Sequence, residues 1–97
     1  MNKYIKNDDQ LTCFLGGKFD TQNSALLENE INQNMKEDIT SVIFDLREVG
    51  YVSSAFLRIV MKIVKKLGRE NFILSNVQPS VMKVFKMANF TDIVKFE

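Results

Sequence analysis

Apolar positions change their spacing along this chain, and the changes divide it into elements. Over residues 11–15, Leu11, Cys13 and Leu15 alternate with Thr12 and Phe14, the two-residue period of a strand with one face turned inward. Residues 3–6 read as a partner strand, and the turn-forming Asn7, Asp8 and Asp9 predict that residues 3–6 and 11–19 make a hairpin. Gly16 and Gly17 end or bulge its second arm. From residue 23 the spacing lengthens: Leu27, Ile31 and Met35 recur every four residues while Glu28 and Glu30 fall elsewhere. That spacing predicts a helix capped by Asn23 and running to about Met35, followed by a polar loop over 36–38.

The run at 41–46, Ser-Val-Ile-Phe-Asp-Leu, is nearly continuous in its apolar content and contains β-branched residues. It predicts a central strand covered on both faces, with a short turn after it. Residues 54–68 then form an amphipathic helix with Phe56, Val60, Ile63, Val64 and Leu67 on one face and Arg58, Lys62, Lys65, Lys66 and Arg69 on the other, stopped by Gly68. Residues 71–75 repeat the buried-strand pattern. Pro79 suits the first turn of a helix that turns Val81, Met82, Val84 and Phe85 inward, Asn89 suits its left-handed ending, and residues 92–96 add a last strand. The order ββαβαβαβ predicts an α/β domain whose mixed, mostly parallel sheet opens with an antiparallel hairpin.

Ninety-seven residues suffice for one compact domain over 1–97. A 45% hydrophobic and 26% charged composition is that of a globular protein, and no run approaches the roughly 18 apolar residues of a membrane span. The first residues carry a charge every few positions and no apolar stretch, so they do not read as a secretory signal, and a cytoplasmic location is expected. Chemistry is constrained more sharply. One cysteine and no histidine exclude an internal disulfide, a thiolate metal cluster and the Ser-His-Asp, Cys-His and zinc-hydrolase machineries, so no cofactor or metal is expected and an enzyme is the least favoured class. A formal charge of +1 gives no bulk attraction to nucleic acid, and no glycine-rich phosphate loop is present. The basic stripe of residues 58–69 reads as a solvated helix face. Met61, Met82 and Met87 suit core or pliable interface packing.

The chemistry that remains lies where an apolar strand leads into Ser53 and Ser54. A hydroxyl at a helix N-terminus sits beside unpaired backbone N–H groups and the positive end of the helix dipole, so Ser54 can cap the helix unmodified and carry a phosphate when modified. The wording around it is also familiar. The Asp45-Leu46 pair, Val49 four residues after Asp45, the pair Tyr51-Val52 and then Ser53-Ser54-Ala55-Phe56-Leu57-Arg58 resemble the STAS domain of bacterial anti-sigma-factor antagonists. Gly17-Lys18-Phe19-Asp20 resembles that family's Gly-x-x-Asp before the first helix, and Met87 to Ile93 its C-terminal ending.

The resemblance implies a sheet with helices mainly on one side and a binding module rather than an enzyme. In its unphosphorylated form such a module binds an anti-sigma factor that is also a serine kinase with its own ATP site, and so releases a sigma factor. Phosphorylation of Ser54 by that kinase would end binding, and a phosphatase would reset it. Asp20, Ser53, Ser54, Phe56, Leu57 and Met61 are the expected partner contacts, with neither nucleic acid nor a membrane span involved and a monomer or weak dimer as the working form. Asp45 is expected to satisfy loop amides instead, and for Asp20 a share in capping the first helix is an equal reading. Two positions depart from the family pattern: Ser53 stands where many members carry Asp, and Phe56 where a small Gly is usual, its ring expected to be partly exposed. Those departures give weight to an alternative, a STAS subunit regulating a phospholipid-transport ABC system without phosphorylation. A domain within a larger sensory scaffold is a third reading.

Overall fold

The structure, a computed structural model, describes residues 2–97. β1 (Lys3–Asn7) and β2 (Gln10–Phe19) form the expected antiparallel hairpin, with Tyr4 opposite Cys13. Asp8 makes the tight reversal by adopting φ 57°, a left-handed conformation that Asp tolerates better than most residues. α1 (Thr21–Asn34), β3 (Ser41–Val52) and α2 (Ser54–Leu67) follow, then a 3₁₀ turn at Arg69–Asn71, β4 (Phe72–Ser75), α3 (Pro79–Met87) and the two-residue β5 (Lys95–Phe96). The five strands lie in the order β1-β2-β3-β4-β5, parallel from β2 onward. This is the α/β, hairpin-led, ββαβαβαβ arrangement that the alternating periods predict.

One face of the sheet carries the core. Leu11, Cys13, Leu15, Val42, Phe44, Leu46, Phe72 and Leu74 are buried, and the apolar stripes of all three helices close over them. Phe56 on α2 packs its ring 6.0 Å from Phe44 on β3 and 6.5 Å from Phe85 on α3, and Phe85 lies 5.7 Å from Phe96. Tyr4 reaches across the sheet to α1, its hydroxyl donating to Glu30 Oε1 at 2.6 Å. Burial and that carboxylate together raise the phenol's pKa, so Tyr4 stays neutral.

The expectation that β3 would be covered on both faces is not met. Val42, Phe44 and Leu46 are buried while Ser41, Ile43 and Asp45 alternate with them and are only half-buried. The apolar run hid a period of two because Ile43 lies on the open face, between Thr12 of β2 and Ile73 of β4 in register. No turn follows residue 46 either: β3 continues to Val52, pairing with Gly16 to Phe19 through two register shifts. Gly17, at φ 100°, supplies the backbone conformation that this bulged pairing needs.

Helix ends follow the expected chemistry with one exchange. Gly68 stops α2 at φ 91°, Pro79 opens α3, and Asn89 turns left-handed after it at φ 60°. The cap of α1 is Asp20, however, not Asn23. Asp20 Oδ1 accepts from the Asn23 backbone N–H at 2.8 Å, and the Asn23 side chain donates to the Lys18 carbonyl at 2.9 Å. A carboxylate three residues earlier outcompetes Asn23 for the cap, and the helix begins one turn sooner. Met82 and Val84 are half-buried rather than fully inward, and Met87 is 76% exposed, which rules out the core among its two expected settings.

Candidate functional site

The bulged end of the β2–β3 pair sets the starts of two helices side by side. The Ser53 N–H donates to the Phe19 carbonyl at 3.0 Å, and the same carbonyl accepts from buried Ser24 Oγ at 3.3 Å. The first turns of α1 and α2 are thereby held together. Between them lies a shallow cavity of about 150 Å³, lined on one side by Thr21, Ser24, Ala25 and Glu28 and on the other by Ala55, Arg58, Ile59 and Lys62.

The two serines divide their roles differently from the expectation. Ser53, not Ser54, is the N-cap of α2: its carbonyl accepts from Phe56 N–H at 3.0 Å and Leu57 N–H at 3.2 Å. Its side chain does no capping, and Ser53 Oγ is buried with no hydrogen-bond partner among the described residues. Ser54 occupies the first helical position and is exposed. An acceptor at that position has free access to solvent, and an anion there lies at the favourable end of the helix dipole.

Phe56 is a correction. Its ring is 0% exposed and packs 5.2 Å from Phe19 as well as against Phe44 and Phe85, so it is not part of a docking face. At the third helical position the side chain turns to the sheet, and the space that a Gly would leave open is filled by ring. Leu57, at 8% exposure, is almost closed off too, and Met61, two helical turns beyond Ser54, is half-buried. Asp20 is exposed at the neighbouring helix start. The expected contact set therefore divides: Asp20 and Ser54 lie open, Ser53 and Met61 are half-covered, and Phe56 and Leu57 support the site from inside.

Asp45 has the structural role expected of it, accepting from Arg47 N–H and from Asn76 Nδ2, each at 3.0 Å. Exposed side chains beyond the expected contact set include Lys18, Tyr51 and Leu26. Lys18, Asp20 and Tyr51 line a surface depression of about 300 Å³, with Tyr51 49% exposed. Leu26, on the outer side of α1, is 57% exposed. The signal for Tyr51 is Gly50, the extra residue of β3 between Val49, paired with Gly17, and Tyr51, paired with Lys18, so that Gly50 and Tyr51 both lie outward and the alternation of β3 breaks.

Charge at the site is mixed. Lys62 spans the α1–α2 groove to Glu28 at 2.6 Å, whereas Arg58, one turn from Ser54 on the same helix, makes no ion pair with the described residues. Among the described residues no group of three or more His, Cys, Asp or Glu side chains is arranged to hold a metal. No helix among the described residues is long and apolar enough to cross a membrane.

Comparison with known proteins gives this geometry a context. The STAS domain family model matches residues 2–97. BtrV of Bordetella bronchiseptica (strain ATCC BAA-588 / NCTC 13252 / RB50), provisionally named an anti-sigma factor antagonist, is 31% identical over 90 residues, which is 91% of this chain and 78% of BtrV. An anti-sigma factor antagonist from Mycobacterium paratuberculosis shares the fold at TM-score 0.86 and 18% identity, over 99% of this chain and 83% of that one. The anti-sigma factor antagonist SpoIIAA in its unphosphorylated form does so at 0.82 and 17%, over 100% and 88%. The phosphorylated form of the Bacillus protein SpoIIAA matches at 0.73 and 16%, over 100% and 91%. A family match spanning every described residue, on a fold shared from end to end with these antagonists, makes the chain a member of the STAS domain family.

Proposed function

We propose that this domain, residues 1–97 acting as one unit, is an anti-sigma-factor antagonist. Unmodified, it binds an anti-sigma factor that is also a serine kinase, and the kinase brings its own ATP site. Binding releases the sigma factor, transfer of phosphate to Ser54 ends the complex, and a phosphatase restores it. The domain itself catalyses nothing and works in the cytoplasm as a monomer or weak dimer.

The observation that carries this reading is the exposed hydroxyl of Ser54 at the first position of α2. The antagonist names of its relatives support it, as does the existence of SpoIIAA in a phosphorylated form. A phosphate adds about −1.5 to −2 charges and three acceptor oxygens to a surface that was neutral at that point. A partner packed against the hydroxyl then meets repulsion and lost desolvation energy. Each ~1.4 kcal/mol of that loss weakens binding tenfold.

The test uses wild-type, Ser54→Ala and Ser54→Asp proteins as baits in lysate of the source organism, with retained proteins identified by mass spectrometry. A serine kinase held by wild type and Ser54→Ala and lost by Ser54→Asp supports the switch, and ATP should then raise the mass of wild type but not of Ser54→Ala by one phosphate. The same kinase held equally by all three removes the switch. Transporter ATPase subunits retained by all three would instead favour regulation of a phospholipid-transport ABC system.

A further inference from the structure

Arg58 stands four residues after Ser54 on α2, and side chains at that spacing are neighbours on one helix face. Helical side chains tilt toward the N-terminus, so an arginine at this position leans over the turn that begins at Ser54. Both residues are exposed, and Arg58 makes no ion pair with the described residues. The next cation along the same side, Lys62, is already engaged by Glu28. Arg58 also borders the 150 Å³ groove between the first turns of α1 and α2, which leaves its guanidinium room to move.

We infer that Arg58 is the built-in counterion of a phosphate on Ser54: the guanidinium folds back one turn and pairs with the phosphoryl oxygens, holding them over the start of α2. The inference rests on Ser54 being the phosphoacceptor and adds what becomes of the charge afterwards. The guanidinium's planar fork matches two phosphate oxygens at once, which an ammonium does not. Phosphorylation then changes the docking surface twice, by adding an anion at the start of α2 and by withdrawing a cation that the unmodified domain presents to its partner. Other charges lining the groove that Arg58 borders are Glu28 on α1 and Lys62 on α2, and Lys18 and Asp20 line the depression with Tyr51. Of these, Glu28 and Lys62 neutralise each other, and Asp20 is committed to the α1 cap.

The experiment places phosphoserine at position 54 during translation, so it depends on no kinase, and follows the phosphate's second ionisation by ³¹P NMR against pH. Pairing with Arg58 favours the dianion. The phosphate in the otherwise wild-type domain should therefore titrate about 0.2 to 0.4 of a pH unit lower than in Arg58→Gln, the size an exposed i,i+4 helical ion pair supports. Arg58→Lys should recover part of the difference, and 0.5 M salt should shrink it. Lys62→Gln removes the same formal charge from the next turn and should leave the titration near wild type. Equal titration in wild type and Arg58→Gln, or an equal displacement by Lys62→Gln, would overturn the assignment. If Ser54 is never phosphorylated in cells, the kinase experiment fails while this titration still reads the pairing.

Discussion

Replacing Phe56 by Ala tests whether the ring at the start of α2 belongs to the fold or to a docking face. The ring is fully enclosed, with Phe19, Phe44 and Phe85 at centroid distances of 5.2, 6.0 and 6.5 Å, so it joins β2, β3 and α3 to α2. Truncation of a buried Phe costs about 3–5 kcal/mol in transfer and cavity energy. Ala is the better helix former by roughly 0.5 kcal/mol, which offsets a little of that loss. A net loss of about 3–4 kcal/mol is a large part of the 5–15 kcal/mol typical of a domain, and lowers the unfolding midpoint by roughly 15–25 °C. Urea unfolding followed by far-ultraviolet circular dichroism measures it, with Phe56→Leu as the milder companion at about 1 kcal/mol. A loss below about 1.5 kcal/mol for Phe56→Ala would show that the ring has water on one side and that the four-phenylalanine core is misdescribed.

The two helix caps should respond unequally. Asp20→Ala removes a working cap and should cost about 1 kcal/mol, whereas Ser53→Ala removes a buried hydroxyl with no partner and should cost nothing or stabilise slightly; paired urea melts decide it, and equal losses would refute the contrast. Burial pushes the Cys13 thiol up to about 12, so it should resist a thiol reagent at pH 8 in the native protein and react at once in denaturant; fast native labelling would place it outside the core. Hydrogen bonds from Lys6 and Lys95 hold the Asp38 and Glu70 carboxyls below their ordinary values of 3.8 and 4.5. Carboxyls depressed on folding stabilise above those ordinary values and lose that stabilisation as pH falls through the lower folded-state values, so melts in that window should show a wild-type decline that Lys6→Met and Lys95→Met blunt.

Much of this fold was legible because its elements differ in period. The alternation of Leu11, Cys13 and Leu15 and the four-residue recurrence of Leu27 and Ile31 each match a buried face, and Gly68, Pro79 and Asn89 mark helix ends by backbone chemistry alone. What escaped was tertiary. Ile43 is apolar on a face that no helix covers, and nothing local distinguishes it from Val42 beside it. Partial exposure is expected of Phe56 because it stands where the family usually has a small Gly, although the helical period already puts it on the apolar face, and three rings distant in sequence enclose it. Lys18 and Tyr51 became partners only through the register shifts on either side of Gly16-Gly17, at each of which β3 carries one extra residue; the glycines are visible in the sequence and the shifts are not.

The start of α2 separates stability from signalling over three residues. Ser53 fixes the helix start through its backbone, Ser54 projects into solvent and adds nothing to the core, and Phe56 anchors the same turn to the sheet. A charge introduced at Ser54 therefore acts on whatever docks there and hardly at all on the fold. Ser54→Asp puts a carboxylate at the first helical position, where the dipole favours it by about 0.3–1 kcal/mol at most. Its unfolding free energy should thus match or slightly exceed that of wild type, while its hold on a partner packed against the hydroxyl falls by orders of magnitude. Measuring both on one protein preparation separates the two effects. A loss of 2 kcal/mol or more in stability would mean that the partner is released because the first turn of α2 comes apart, and Ser54 would then be a structural residue rather than the place where the switch is read.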